Sequence, residues 1–181
     1  MTYRNVISAV VRALAVETIS SAGGCDFEPK VQCAKQKGEI VGKEAALLQD
    51  CWVFGRLHRS LSPAHWRALV AKYSTHEERK HSAILELLTI VRSPAPQRFR
   101  ECAVLTWAIP QVGGTEGKRS CTVLPAAWYD ITNWDNDGKP ESTRYRWRSS
   151  IRNALDDQVN EALTAAQELL DAEGLIESCA A

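Results

Sequence analysis

The chain has 181 residues, of which 45% are hydrophobic, and its 22 basic and 22 acidic residues leave no net charge at pH 7. This apolar content is enough for a core in one domain or two small ones, so most of the chain is expected to fold. No apolar run is long enough for a membrane span. The apolar stretch near the N-terminus is interrupted by Ser8 and Arg12, so we expect no signal peptide and a soluble, cytoplasmic protein.

Apolar residues recur at helical spacing along most of the chain, which predicts an all-α helical bundle. The predicted helices, in chain order, cover 3–20, 43–60, 63–73, 77–92, 97–109, 124–133 and a long final helix that starts near Ser142. Loops are predicted over 25–42 and 111–120. Ser62 before Pro63 is typical of a helix start, and Gly174 is typical of a helix stop.

Ser-Pro-Ala-Pro at 93–96 is the strongest break inside the chain. It divides an N-terminal helical region, 1–92, from a C-terminal region, 97–181. The basic residues of the N-terminal region stand among acidic neighbours, whereas phosphate binding favours an uninterrupted basic track. We therefore expect region 1–92 to bind a protein partner. Its basic residues include Arg56, Arg59, Arg67, Lys72, Arg79 and Lys80.

The cysteines predict thiols rather than a common zinc site, because no two of them form a C-x-x-C pair. They stand at positions 25, 33, 51, 102, 121 and 179. Cys51 and Cys102 lie inside helical patterns and are expected to be buried. An unusual zinc site using Cys25, Cys33 and either Cys51 or His58 is an open alternative. Our prediction is no metal and no cofactor.

The common catalytic motifs are missing from the sequence, including the P-loop, G-x-S-x-G, H-E-x-x-H and the dinucleotide-binding fingerprint. The histidines are scattered. His76 and His81 stand near two glutamates, which is typical of an exposed, charged helix start. We therefore expect the protein not to be an enzyme.

The most informative stretch is 142–155, which opens the final predicted helix. It contains four arginines and no acidic residue, whereas 156–181 contains seven acidic residues and no Lys or Arg. The arginines are Arg144, Arg146, Arg148 and Arg152. A local cationic helix on a neutral chain indicates a polyanion bound at one surface. An ordinary solvated helix face is the alternative.

The helical period separates this stretch into two faces. At 100° per residue, Trp147 and Ile151 fall on the core side. A neighbouring face carries Tyr145, Arg148, Ser149 and Arg152, with Arg144 at its border. Guanidinium groups on such a face can fork onto guanine edges or clamp phosphates, so this face is predicted to read DNA.

The order of elements from 124 to 155 is that of a helix-turn-helix, with the basic helix second. The turn, 133–140, is longer than usual. Trp128, Trp134 and Trp147 are expected to pack in the core and fix the angle between the two helices.

Two segments resemble a known family, "LSPAHWRALVAKYS" (Leu61 to Ser74) and "LPAAWYDITNW…STRYRWRSSIRNALDDQVNEALTAAQELL". They are similar to the Q-type late antiterminators of bacteriophages and prophages and to their relatives. The resemblance implies a helical domain that ends in a sigma-like helix-turn-helix, binds DNA near a late promoter and makes paused RNA polymerase read through terminators. The DNA-binding residues it implies are Arg144, Tyr145, Arg148, Ser149 and Arg152. The zinc-binding cysteine pairs of some antiterminators are absent, so it implies no metal.

These observations predict a phage transcription regulator whose partners are double-stranded DNA and bacterial RNA polymerase. Its predicted DNA-binding residues are Arg144, Tyr145, Arg146, Arg148, Ser149 and Arg152. The alternative is a helical protein-interaction module, such as a phage inhibitor of a host protein, whose arginines meet an acidic partner. Salt-dependent binding to random duplex DNA separates the two.

Overall fold

A computed structural model describes residues 3–22, 43–111, 124–135 and 138–177 of the chain. In that part of the chain no β-strand forms, and the all-α prediction is confirmed. The six α-helices are α1 (Val6–Ala22), α2 (Lys43–Ser60), α3 (Pro63–Tyr73), α4 (Glu77–Ile90), α5 (Gln97–Ala108) and α6 (Glu141–Ala172).

The boundary between α2 and α3 follows the signals in the sequence. The Ser62 hydroxyl accepts a hydrogen bond from the His65 backbone N–H at 3.2 Å, and Pro63 is the first residue of α3. A proline is favourable there because the first helical residue has no intrahelical use for an N–H. Both helices therefore have the predicted bounds, whereas α4 ends at Ile90, two residues earlier than predicted.

The long helix α6 organises the core. It has 32 residues, which gives it a length of about 48 Å at 1.5 Å per residue. It packs against α1, α2, α3 and α5, so one hydrophobic core continues across the break at 93–96. Its buried stripe begins at Ile151, which was predicted on the core side, and consists of Ile151, Leu155, Val159, Ala162, Ala166 and Leu170.

A buried carboxylate sets the orientation of α2. Asp50 Oδ1 accepts a hydrogen bond from the Tyr3 hydroxyl at 2.7 Å, and its Oδ2 lies 2.9 Å from Arg12 Nη2. With Asp50 turned inward, Val53 and Leu57 form the buried side of the helix. The prediction that Cys51 is buried is therefore wrong, since this thiol is exposed.

The segment 124–135 departs from the predicted helix over 124–133. It forms two 3-10 turns, Ala126–Trp128 and Ile131–Trp134. The Asp130 side chain accepts hydrogen bonds from both the backbone N–H and the hydroxyl of Thr132, at 3.0 and 2.7 Å. Such local bonds compete with a continuous helix. The first helix of the predicted helix-turn-helix is therefore not an α-helix.

Two of the three tryptophans expected in the core pack as predicted. Trp134 is buried and its Nε1 donates to the Trp128 carbonyl at 2.7 Å. Trp147 is half-buried, edge-on to Phe99 at 5.5 Å. Trp128 itself is 39% exposed, so its predicted burial is wrong.

Candidate nucleic-acid interface

The arginine-bearing helix begins at Glu141, one residue before the predicted start near Ser142. The Pro140 carbonyl accepts hydrogen bonds from the backbone N–H groups of Thr143 and Arg144 at 3.0 and 3.3 Å. Ser142 therefore lies inside the first turn. Pro140, the residue before the helix, makes no side-chain cap.

Arg144 points toward the protein. Its side chain is only 14% exposed, and its Nε lies 3.6 Å from Oδ2 of the buried Asp135. The same Asp135 oxygen accepts the backbone N–H of Lys139 at 3.3 Å. Arg144 therefore ties the start of α6 to the preceding turn, and this leaves its guanidinium less available to DNA than the sequence implied.

Arg148 and Arg152 follow Arg144 at intervals of one turn. Arg148 lies over the ring of Trp134, with 5.7 Å from its guanidinium carbon to the ring centre. The Nε atoms of both arginines are buried and have no hydrogen-bond partner. No salt bridge to a described Asp or Glu engages either side chain.

Arg148 and Arg152 form a row of cations in an electrostatically unfavourable environment. Burial, and secondly the charge of Arg152, lower the pKa of Arg148 below its ordinary value. Because a guanidinium stays protonated in proteins, the lowered pKa reports an unfavourable environment for its charge rather than a loss of charge. An anion placed beside the row would make this environment more favourable.

Three other predicted residues face solvent. Tyr145 is 49% exposed, and Arg146 and Ser149 are exposed as well. Ile151, on the opposite side, is buried as predicted. The first half of α6 thus presents an outer face with hydroxyl, aromatic and guanidinium groups, while Arg148 and Arg152 lie half-buried along its rim.

One basic residue of region 1–92 lies next to the arginine-bearing helix. Lys72, on α3, places its Nζ 3.8 Å from Asp156 Oδ1 of α6 and 4.4 Å from the centre of the Trp107 ring of α5. Trp107 Nε1 donates to the same Asp156 oxygen at 2.7 Å. The local pattern of α3 gives no signal for this junction, because the junction depends on how three helices pack. A further arginine, Arg100 of α5, also has a buried Nε without a partner.

The alternative zinc site finds no support among the residues that can be placed. Cys25 and Cys33 lie outside the described residues. His58 packs against the rings of Phe54 and Trp66, at 6.2 and 5.0 Å between centres. In the described ranges no three His, Cys, Asp or Glu side chains group as metal ligands.

Comparison of the chain with family models, with curated proteins and with solved structures found no match. Across the described ranges, no helix combines the length and the apolar character needed to cross a membrane.

Proposed function

We propose that the protein binds double-stranded DNA through the first half of α6 and acts as a transcription regulator. The observation that carries the proposal is the pair Arg148 and Arg152, whose Nε atoms are buried without a hydrogen-bond partner. Holding two guanidinium groups together, half-buried and unneutralised by acidic residues, costs free energy in the absence of a bound anion. DNA phosphates supply negative charge and oxygen acceptors along a repeating line.

The half-buried arginines and the outward-facing side chains of α6 would make different contacts with DNA. Arg148 and Arg152 lie on the rim and suit phosphate contacts, which fix the position of a protein on the duplex. Tyr145, Arg146 and Ser149 point outward and suit contacts with base edges in the major groove. The acidic second half of α6 would be repelled by phosphate, so the contact would be confined to the first turns.

Replacement of a rim arginine tests the proposal. Arg148→Ala and Arg152→Ala should each weaken binding uniformly across DNA sequences and reduce the salt slope of log K by about one. Arg146→Ala should instead cost about 1–3 kcal/mol at one base position if that residue reads a base. The measurement is fluorescence anisotropy with labelled duplexes over a salt series.

Arg56→Ala is a matched control for these variants. Arg56 lies on α2 and its Nη2 is 3.1 Å from Glu173, beyond the far end of α6, so it is already paired. Its replacement should leave the salt slope unchanged. If Arg148→Ala and Arg152→Ala also leave affinity and slope unchanged, α6 is not the DNA-binding element and the proposal fails.

The finer assignment, late-gene antitermination on bacterial RNA polymerase, rests on the resemblance of Leu61–Ser74 and of the C-terminal segment. It needs a second surface for a protein partner. Exposed apolar side chains on α2 support this, with Leu48 and Trp52 one turn apart. In transcription across a terminator, Trp52→Ser should lose read-through while it keeps DNA affinity. If the full-length chain binds promoter DNA and never changes read-through, antitermination is wrong.

The same apolar pair favours the second candidate function, a protein-interaction module without DNA binding. The two candidates differ in one measurement. A module of this kind would show no salt-dependent affinity for random duplex DNA, and its partner binding would depend on Trp52 and not on Arg148.

A further inference from the structure

We propose that Lys72 of α3 joins Arg148 and Arg152 of α6 in one phosphate-binding cluster, and that its ligand is a backbone phosphate of the bound nucleic acid. This inference rests on the proposed DNA binding. It adds to the interface a residue from the N-terminal region, at the junction of α3, α5 and α6.

The first support is geometric. Asp156 stands one turn after Arg152 on α6, and its Oδ1 lies 3.8 Å from Lys72 Nζ. Lys72 is therefore held next to the end of the arginine row. The aromatic face of Trp107, 4.4 Å from Nζ, fixes the ammonium from one side.

The second support is the charge balance of the cluster. Three cations and one carboxylate leave two positive charges in excess. The carboxylate is also shared, because Asp156 Oδ1 accepts the Trp107 indole N–H at 2.7 Å. The single charge of Asp156 therefore offsets only one of the three cations.

The third support is that the cations act on one another. Burial is the main cause that lowers the pKa of Lys72, and the charge of Arg152 lowers it further while Asp156 raises it. The charge of Arg152 also lowers the pKa of Arg148. Arg152 is thus within electrostatic reach of both Lys72 and Arg148, and a phosphate bound beside Arg152 would be attracted by its neighbours as well.

The chain offers a closely matched control on the same helix. Arg67 is 29% exposed, against 28% for Lys72, but its Nη1 forms a salt bridge of 3.0 Å with Glu86 of α4. Lys72→Met should reduce the salt slope for a fluorescein-labelled duplex of mixed sequence by about one, equally for all sequences. Arg67→Met should leave the slope unchanged.

Two further variants separate charge from folding. Lys72→Arg keeps the positive charge and should retain the slope. Asp156→Asn keeps an acceptor for Trp107 Nε1 but removes the competing negative charge, and should tighten binding by about threefold. If Lys72→Met behaves like Arg67→Met, or if Asp156→Asn weakens binding, the cluster is refuted.

Failure of this inference differs from failure of the proposed function. If the unaltered protein shows no salt-dependent duplex binding, the proposed function falls and the inference falls with it. If Arg148→Ala lowers the slope and Lys72→Met does not, DNA binding stands and the role of Lys72 falls. Inorganic phosphate is the second probe. If it raises the thermal unfolding midpoint of the unaltered protein and not of Lys72→Met, while Lys72→Met leaves the salt slope for the duplex unchanged, the ligand is a free phosphate and the backbone assignment is overturned.

Discussion

Asp50 shows how one buried carboxylate joins three parts of the chain. It accepts the Tyr3 hydroxyl ahead of α1, pairs with Arg12 of α1 and belongs to α2. Tyr3 in turn bridges to the segment after α6, since its backbone N–H donates to the Leu175 carbonyl at 2.7 Å and its carbonyl accepts the Glu177 N–H at 2.9 Å. Removal of one partner would leave a buried polar group unsatisfied.

Tyr3→Phe should therefore lower the free energy of unfolding by about 2 kcal/mol at neutral pH, because a hydrogen bond to a charged acceptor is lost. Urea denaturation measures this loss. Tyr145→Phe is the control, since Tyr145 is largely exposed and its hydroxyl contributes little to stability. Equal stability of the Tyr3 and Tyr145 variants would contradict the role of the Tyr3 hydroxyl.

Tyr3 should also make the free energy of unfolding depend on pH. Burial, and then the hydrogen bond to Asp50 and its charge, raise the pKa of Tyr3 above its ordinary value. Below about pH 10 the tyrosine is protonated in both states, and its full contribution is present. Above that pH the unfolded state ionises first, so this contribution declines as the pH rises. The difference in free energy of unfolding between the unaltered protein and Tyr3→Phe should therefore shrink as the pH rises above about 10. A constant difference up to pH 11 would contradict the raised pKa of Tyr3.

At the scale of the helix, α6 is terminated by Gly174, which follows the C-cap residue Glu173. Gly174 has φ +66°, its N–H donates to the Asp171 carbonyl at 3.0 Å, and the Leu175 N–H donates to the Leu170 carbonyl at 3.0 Å. These are the two bonds of a Schellman motif. A Cβ at Gly174 would meet no atom within 4 Å, so only the backbone conformation opposes a side chain there.

Gly174→Ala should thus lower the free energy of unfolding by about 1 kcal/mol. Gly55→Ala, inside α2, is the opposite case. A Cβ there would meet only Arg59 Nη2 at 3.6 Å, an ordinary contact, so this variant should raise stability by about 0.5 kcal/mol. Chemical denaturation of both variants would show opposite signs, and a shared sign would contradict the assigned backbone states.

Sequence patterns predicted those elements whose signals are local. The bounds of α2 and α3, the core-facing side of Ile151 in α6 and the stop at Gly174 each depend on spacing or on one capping residue. The 3-10 turns were missed because side-chain bonds of Asp130 overcame helical periodicity. The exposure of Cys51 and the position of Lys72 depend on contacts between helices distant in sequence, which no local pattern records.

At the scale of the whole molecule, the two predicted regions share one core. The buried stripe of α6 packs against α3 and α1 of region 1–92 as well as against α5. An isolated fragment 97–181 would expose this stripe to water, at a cost of roughly 25 cal/mol per Å² of apolar surface.

We therefore expect fragment 97–181 to lack cooperative thermal unfolding when measured by circular dichroism. Co-expression with fragment 1–92 should restore the transition, because it supplies α1 and α3. A cooperative transition of the isolated fragment, with retained DNA affinity, would show that the C-terminal region folds by itself.

The division of charge along α6 makes this helix an electric dipole within a chain of no net charge. The arginines lie in its first half, and the chain after residue 155 carries seven acidic residues and no Lys or Arg. A polyanion near α6 would therefore exert a torque on this helix, attracting its first half and repelling its second. Because charges are screened over about 8 Å at physiological salt, this torque acts only at close range. If the proposed DNA binding holds, encounters would be selected by orientation, and those that begin at the acidic half of α6 would end in dissociation rather than in sliding along the duplex.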